Sequence, residues 1–189
     1  MGARFRKSNH QSNWRRRLTK KEKTKVEKIY QKAKICKKTQ SGLSTRMLTK
    51  FLANTKNFVG VYSQNQLKKI TLQHFPSTFV INLDSSNMPG SHWIALGLFQ
   101  NKLEIFDSLG FSMFDWPHIP CELLNFLLKF SIGRKVKISK SLQSYDSSLC
   151  GFYCIFYVLA RNFMSLQKIV DFFKTDLEQN DKILINLFK

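Results

Sequence analysis

The most informative segment of the chain covers residues 92–107 and has the sequence HWIALGLFQNKLEIFD. Between residues 93 and 99, apolar side chains occupy both alternating faces of an extended chain, which is typical of a strand covered on both sides inside a sheet. The polar pair Gln100-Asn101 is a short turn signal, and residues 102–107 follow as a second strand. The segment therefore predicts a β-hairpin.

The two-residue turn also sets a register for this hairpin. If Phe99 pairs with Lys102, then Ile94 lies opposite Asp107, and His92 lies diagonally from Asp107 on the same face. An aspartate at that position can orient an imidazole ring and stabilise its charged form. The predicted contact depends on the turn length, because a change of one residue would alter the pairing.

The rest of the chain contains helical and strand-like segments around this hairpin. An almost wholly apolar stretch over residues 150–163 predicts a central, buried helix. Further helices are predicted at 46–53, 64–72, 119–130, 165–174 and 176–188, and short strands at 78–83 and 136–139. We expect Asn54 to Gly60 to separate two helices. This order predicts the α+β class, with a small mixed β-sheet packed by helices.

The charge of the chain is concentrated at one end. The 189 residues include 31 Lys and Arg and 12 Asp and Glu, a net charge of +19. Residues 1–50 hold 17 basic and 2 acidic side chains, whereas residues 51–189 hold 14 and 10. The apolar content of 43% excludes a wholly disordered protein. We therefore expect a basic arm over residues 1–42 and a compact domain over 43–189.

Neither a membrane span nor a metal site is predicted. No apolar run approaches the ~18–20 residues that cross a bilayer. The four cysteines, Cys36, Cys121, Cys150 and Cys154, lack the two-residue spacing of zinc sites, and no secretory signal is present. We expect an intracellular protein with reduced thiols, no metal and no small-molecule cofactor.

The basic arm predicts binding to a polyanion. Trp14 precedes Arg15-Arg16-Arg17, and Lys20-Lys21 follow, so nucleic acid is the expected partner of these cations. We expect disorder over residues 1–20 and a basic helix over residues 21–36, whose narrow apolar stripe includes Val26. A nuclear-localisation signal is compatible with the same residues, and a solvated tail without a partner is the alternative.

Cys150 is the candidate nucleophile. It lies directly before the apolar helix, where the positive end of the helix dipole favours a thiolate. Gly151 is expected to leave the backbone N–H groups there uncrowded, which suits an oxyanion site. A cysteine beside an apolar helix is more often simply a buried core residue. We assign that structural role to Cys154.

A nucleophilic cysteine needs a base, and His92 is the candidate. His10 lies in the arm, His74 in a connection and His118 between two prolines, whereas His92 opens the central strand. Gln143 lies seven residues before Cys150, and its side-chain amide can donate to the oxyanion formed in acyl transfer. Each of these indications is weak alone, but their order along the chain is specific.

With His92, Asp107, Gln143 and Cys150 in this order, the sequence resembles the adenovirus-type (adenain-like) cysteine endopeptidases of the Ulp1-like clan. The resembling segments are Gly90 to Trp93, Leu103 to Gly110 and Gln143 to Cys154, with a looser likeness at Phe51 to Gly60 and Phe79 to Asp84. The likeness covers roughly residues 43–175 and is closest in motif to the proteases of Polinton/Maverick and adintovirus elements. It implies an adenain/Ulp1-like fold.

The resemblance implies roles for individual residues. His92 matches the general base, Asp107 the acidic third member, Gln143 the oxyanion-hole side chain and Cys150 the nucleophile. Trp93 is expected to line the substrate site. The function implied is a viral or virus-like thiol protease that cleaves virion precursors during maturation in the host nucleus and the virion. The resemblance also suggests DNA as an activator. We expect the protein to be a monomer.

The sequence also departs from the adenoviral pattern. Asp107 stands where adenoviral members carry Glu, and Ile132 stands where they have the cysteine that links to an activating peptide. Covalent activation by that route is therefore not expected. Two alternatives remain open, a SUMO- or ubiquitin-like isopeptidase of the same clan and a non-enzymatic, DNA-binding virion core protein.

Overall fold

The structure, a computed structural model, describes residues 18–33, 42–72, 74–110 and 119–188. Within these ranges the helices and strands, in chain order, are α1 (Lys20–Ala33), α2 (Thr45–Leu52), β1 (Phe58–Ser63), a 3-10 helix (Gln64–Lys69), β2 (Ser77–Asn82), β3 (Trp93–Phe99), β4 (Lys102–Phe106), α3 (Cys121–Ser131), β5 (Lys135–Ile138), α4 (Cys150–Ala160), α5 (Leu166–Phe172) and α6 (Leu177–Phe188).

The strands form one mixed sheet in the order β1-β2-β3-β4-β5. The β1–β2 and β4–β5 pairs are parallel, and the β2–β3 and β3–β4 pairs are antiparallel. Helices pack against this sheet, so the predicted α+β class is confirmed.

The central hairpin has the predicted register. Phe99 pairs with Lys102 and Leu98 with Leu103, so Gln100 and Asn101 are the two turn residues. Ala95 pairs with Phe106, one step before the position at which Asp107 follows β4. The register therefore brings the start of β3 and the end of β4 to the same edge of the hairpin.

The sheet has a hydrophobic core on each face, and β3 contributes to both. Ala95 belongs to the core that contains α4, whereas Ile94 and Leu96 belong to the core that contains α3. All three side chains are fully buried. The prediction that β3 is covered on both sides is confirmed.

The central helix α4 is buried along its whole length, as predicted. It ends at Ala160 rather than at Phe163, because the chain turns where Arg161 reaches back to the sheet. Arg161 Nε lies 2.6 Å from Glu104 Oε2, and Arg161 Nη2 lies 3.0 Å from Glu104 Oε1. The end of α4 is therefore tied to the middle of β4 by a buried ion pair.

Two local predictions were wrong. Residues 58–63 form strand β1 instead of a linker, and residues 64–69 form a short 3-10 helix instead of an α-helix. The strand has no clear alternation, since all six residues are half-buried and its pairing with β2 shifts between Phe58 and Gly60. The periodicity of the sequence therefore could not reveal it.

The described part of the basic arm packs against the domain. Leu18 and Val26 are buried in the same core as α4, and Lys168 Nζ lies 2.8 Å from Glu22 Oε1. Disorder was predicted as far as residue 20, but Leu18 is already fixed by this packing. Trp14, Arg15-Arg16-Arg17 and Cys36 lie outside the described residues, and the division at residue 42 stays a prediction.

Candidate active site

The site is centred on a contact between His92 and Asp107. His92 Nε2 lies 2.7 Å from Asp107 Oδ1, at the edge where β3 begins and β4 ends. Asp107 is 2% exposed. The diagonal contact predicted from the hairpin register is therefore present.

Backbone contacts hold Asp107 in place. Its Oδ1 also accepts a hydrogen bond from the Leu109 amide at 2.8 Å. The Ser139 hydroxyl accepts from the Asp107 amide at 2.9 Å and donates to the Asp107 carbonyl at 2.8 Å. The Leu109 amide thus holds the carboxylate that faces His92, and Ser139, the residue after β5, holds the backbone of Asp107.

The side chain of Cys150 is also hydrogen-bonded to His92. Cys150 is the first residue of α4 and is 7% exposed. Burial alone lowers the pKa of His92, but hydrogen bonds to the side chains of Asp107 and Cys150, together with their charges, outweigh it and raise that pKa to about 9. Because His92 Nε2 is hydrogen-bonded to Asp107, the other ring nitrogen of His92, Nδ1, is the one available to the Cys150 thiol. The three residues form a Cys–His–Asp constellation with a charged imidazole at neutral pH.

The second cysteine of α4 has a different environment. Cys154 is 1% exposed, and burial, followed by the charges of Cys150 and Asp107, raises the pKa of its thiol. A thiol that stays protonated is a poor nucleophile. Its assignment to the core is consistent with this packing.

Gln143 lies in the loop before α4 and is 1% exposed. Its Oε1 accepts a hydrogen bond from the Ser108 hydroxyl at 2.7 Å, and its Nε2 donates to the Ser147 carbonyl. This arrangement leaves the second N–H bond of the Gln143 amide for another acceptor. The side chain is thus built into the same loop system that leads to Cys150.

A glycine allows the two loops of the site to meet. Gly110 has a φ of +87°, and a Cβ there would lie 2.9 Å from Ser141 Cβ and 3.0 Å from the Ser141 amide nitrogen. Only glycine combines this conformation with such close approach. The turn after Asp107 can therefore lie against the loop that contains Gln143.

The C-terminal helix supports the Gln143 loop from behind. Asn180 Nδ2 donates to the Leu142 carbonyl at 3.0 Å, and the Ser144 amide donates to Asp181 Oδ2 at 3.3 Å. Tyr153 Oη lies 2.8 Å from Asp181 Oδ1 and 3.0 Å from the Leu142 carbonyl, and burial, followed by this carboxylate, raises the pKa of the tyrosine. The loop is thus tied to both α4 and α6.

The glycine after Cys150 lies against Leu43. A Cβ on Gly151 would lie 3.0 Å from Leu43 Cβ, so a larger residue there would push Leu43 away from the first turn of α4. Trp93 Nε1 donates to the Leu43 carbonyl at 2.9 Å, and Trp93 is 7% exposed. Trp93 is therefore a core residue beside the site, and its role in substrate binding stays a prediction.

Several positioning contacts were missed in the sequence. Ser108, Ser139, Tyr153 and Asp181 support the site, but they are joined to their partners across 11 to 37 residues of sequence. Ser108 was part of a resembling segment without any assigned role. A hydroxyl in a short loop carries no pattern that would have identified these contacts.

The remaining predicted site residues are the cations of the basic arm. Lys20 and Lys21 are exposed at the start of α1, whereas Arg15-Arg16-Arg17 lie outside the described residues. Within the described ranges, no three His, Cys, Asp or Glu side chains are grouped so that they could hold a metal ion. No helix in those ranges is long and apolar enough to cross a membrane.

No family model and no curated protein matches the sequence. Among solved structures, the chain is similar to an ASFV protease, with 20% identity, a TM-score of 0.48 and coverage of 80% of this chain and 69% of that one. It is also similar to the SUMO protease Ulp1 with its catalytic cysteine oxidised to a sulfinic acid, with 14% identity, a TM-score of 0.40 and coverage of 91% and 97%. A de-sumoylating protease has 15% identity, a TM-score of 0.38 and coverage of 88% and 74%.

Proposed function

We propose that the protein is a cysteine endopeptidase with Cys150 as nucleophile, His92 as general base and acid, and Asp107 as the residue that orients His92. The observation that carries this proposal is that the imidazole of His92 is hydrogen-bonded to both the Asp107 carboxylate and the Cys150 thiol. This is the arrangement that activates a thiol for nucleophilic catalysis.

The proposed reaction is acyl transfer in two steps. The Cys150 thiolate attacks the carbonyl carbon of the peptide bond, and the resulting oxyanion accepts hydrogen bonds from Gln143 and from the Cys150 backbone N–H, which as the start of a helix has no partner within it. His92 then gives its proton to the leaving amine. In the second step His92 takes a proton from water, the hydroxide attacks the thioester, and the thiolate is released with the acid product.

The test compares two cysteines that are one helical turn apart. We expect Cys150→Ala to abolish hydrolysis in a peptide-library digest while changing the melting temperature little. Cys154→Ala, the matched control, should keep activity, because the buried Cys154 thiol takes no part in the reaction. Equal residual activity in the two variants would refute the assignment of the nucleophile.

We further propose that the substrates are virion precursor proteins and that DNA stimulates their cleavage in the host nucleus and the virion. Two features support this: the resemblance to the adenovirus-type proteases, in particular those of Polinton/Maverick and adintovirus elements, and the excess of 17 basic over 2 acidic side chains in residues 1–50. The experiment is hydrolysis of capsid precursors by the purified protein, with and without duplex DNA. Equal rates in both samples would refute DNA stimulation.

The two alternatives predict different outcomes. An isopeptidase would cleave ubiquitin-like conjugates and leave the capsid precursors intact. A non-enzymatic core protein would hydrolyse neither, and its Cys150 would react with a thiol-directed active-site probe no faster than Cys121, which is exposed at the start of α3. The Cys–His–Asp contacts favour rapid labelling of Cys150.

A further inference from the structure

The amide of Gln143 is held at both ends, and the two ends are not equivalent. Nε2 donates to the Ser147 carbonyl, which can only accept a hydrogen bond. The amide therefore cannot be reversed, since reversal would place two acceptors against each other. With Nε2 fixed in this way, Gln143 Oε1 accepts a hydrogen bond from the Ser108 hydroxyl, and the two oxygens are 2.7 Å apart.

Ser108 contacts Gln143 through its backbone as well. Its carbonyl accepts hydrogen bonds from the Leu142 amide at 2.7 Å and from the Gln143 amide at 2.8 Å. Ser108 is 1% exposed, as is Gln143, so water does not compete for these bonds. One residue thus fixes both the main chain and the side-chain oxygen of Gln143.

On the basis of the function proposed above, we infer that Ser108 is a positioning residue, which aims the second N–H bond of the Gln143 amide at the substrate oxyanion. Asp107 and Ser108 are consecutive, so one dipeptide aligns both parts of the reaction. Asp107 orients the base through a hydrogen bond to His92, and Ser108 orients the oxyanion donor through a hydrogen bond to Gln143.

This role predicts a specific kinetic effect for Ser108→Ala. Without the hydroxyl, the amide can pivot about its remaining bond to Ser147, and the donor geometry required in the transition state is held only part of the time. We expect kcat to fall about tenfold, compared with about 10²–10³-fold for Gln143→Ala. KM should change little, because the oxyanion forms only after the substrate is bound.

A second measurement separates this role from a general loss of structure. Alkylation of Cys150 by iodoacetamide requires the thiolate but forms no oxyanion, so its rate, followed by peptide mass spectrometry, should stay at the wild-type value in Ser108→Ala. The matched control is Ser139→Ala, which removes a hydroxyl from the backbone of Asp107 instead. That variant should lower alkylation and hydrolysis together.

The decisive experiment is the double variant Ser108→Ala/Gln143→Ala, measured on a peptide that the wild-type protein hydrolyses. If Ser108 acts through Gln143, the double variant should have the kcat of Gln143→Ala alone. A further tenfold loss in the double variant, an unchanged kcat in Ser108→Ala, or an equal fall in alkylation would overturn the inference. If Ser108→Ala does not fold, Ser108→Cys keeps a weak donor and takes its place.

Failure of the inference is distinguishable from failure of the proposed function. If the wild-type protein hydrolyses no peptide, the peptidase itself is refuted. If the wild-type protein is active and Ser108→Ala is equally active, only the role of Ser108 is refuted.

Discussion

Two opposing effects act on His92. Burial disfavours its charged form, but the contacts with Asp107 and Cys150 favour it more strongly, and its pKa rises from 6.5 to about 9. A raised pKa in the folded state means that the charged ring stabilises the fold fully below pH 6.5, and that this stabilisation is lost as the pH rises through about 9. The raised pKa of His92 therefore favours its charged form at neutral pH.

This leads to a prediction for Asp107→Asn. In the wild-type protein, the contribution of His92 to the free energy of unfolding should fall by on the order of 3 kcal/mol between pH 6.5 and 9. Asp107→Asn removes the carboxylate charge, lowers the pKa of His92 and should make this fall smaller. Urea denaturation of both proteins at several pH values measures it. Parallel stability curves for the two proteins would contradict the assignment.

The residues of the site differ in how well the sequence predicted them. The contact between His92 and Asp107 follows from strand alternation and a two-residue turn, both of which are local patterns. The contact between Ser108 and Gln143 joins two loops that are 35 residues apart, and no local pattern encodes it. The partner of the Gln143 side chain therefore became visible only in the fold.

Among the secondary-structure elements, the attachment of α4 to the sheet depends on a buried charge. Glu104 in β4 is 1% exposed and accepts hydrogen bonds from both the Arg161 guanidinium and the Tyr157 hydroxyl, the latter at 3.0 Å. These hydrogen bonds give the buried carboxylate of Glu104 partners within the protein. They also fix the end of the helix whose other end holds Cys150.

We predict that Glu104→Gln destabilises the protein by about 3–5 kcal/mol, because it leaves the Arg161 charge buried without a counter-ion. The matched control is Lys168→Met, which breaks the ion pair with Glu22. Lys168 is 54% exposed and Glu22 keeps its bonds to Thr19, so this loss should stay within about 1 kcal/mol. Thermal and urea denaturation measure both changes. Similar losses of stability in the two variants would show that the Glu104–Arg161 ion pair contributes no more to the free energy of unfolding than the Glu22–Lys168 pair.

Elements with a clear pattern of apolar residues were predictable from the sequence, and elements without such a pattern were not. The alternating residues of β3 and the apolar run of α4 predicted a strand and a helix at the correct places. Residues 58–63 pack as a half-buried edge strand with an irregular register, so neither face is marked by apolar residues. Such a strand is specified by pairing with β2, which is a tertiary property.

For the whole molecule, the packing of α1 changes the design of experiments on the basic arm. Deletion of residues 1–40 would remove Leu18 and Val26 from the core and would confuse lost binding with lost stability. Deletion of residues 1–17 removes six basic side chains and leaves the described packing intact. The exposed pair Lys20 and Lys21 can be changed to glutamine without disturbing that packing.

We predict that deletion of residues 1–17 weakens binding to duplex DNA and lowers the slope of log K against log salt by up to about 5, since each neutralised phosphate contributes about 0.9. Lys20→Gln/Lys21→Gln should lower the slope by up to about 2. Lys68→Gln/Lys69→Gln, which removes two exposed charges at the end of the 3-10 helix, is the control and should change it little. Fluorescence anisotropy at several salt concentrations measures the slopes. Unchanged affinity after the deletion would exclude residues 1–17 from the binding site.

The tight turn at Gln100 and Asn101 has a consequence for engineering this chain. It lies about 25 Å along the strands from His92, yet it determines which residues of the hairpin face each other. One inserted amino acid there would shift the strand pairing and displace His92 from Asp107, although neither residue is changed. Variants made around the site should therefore keep this remote turn at its present length.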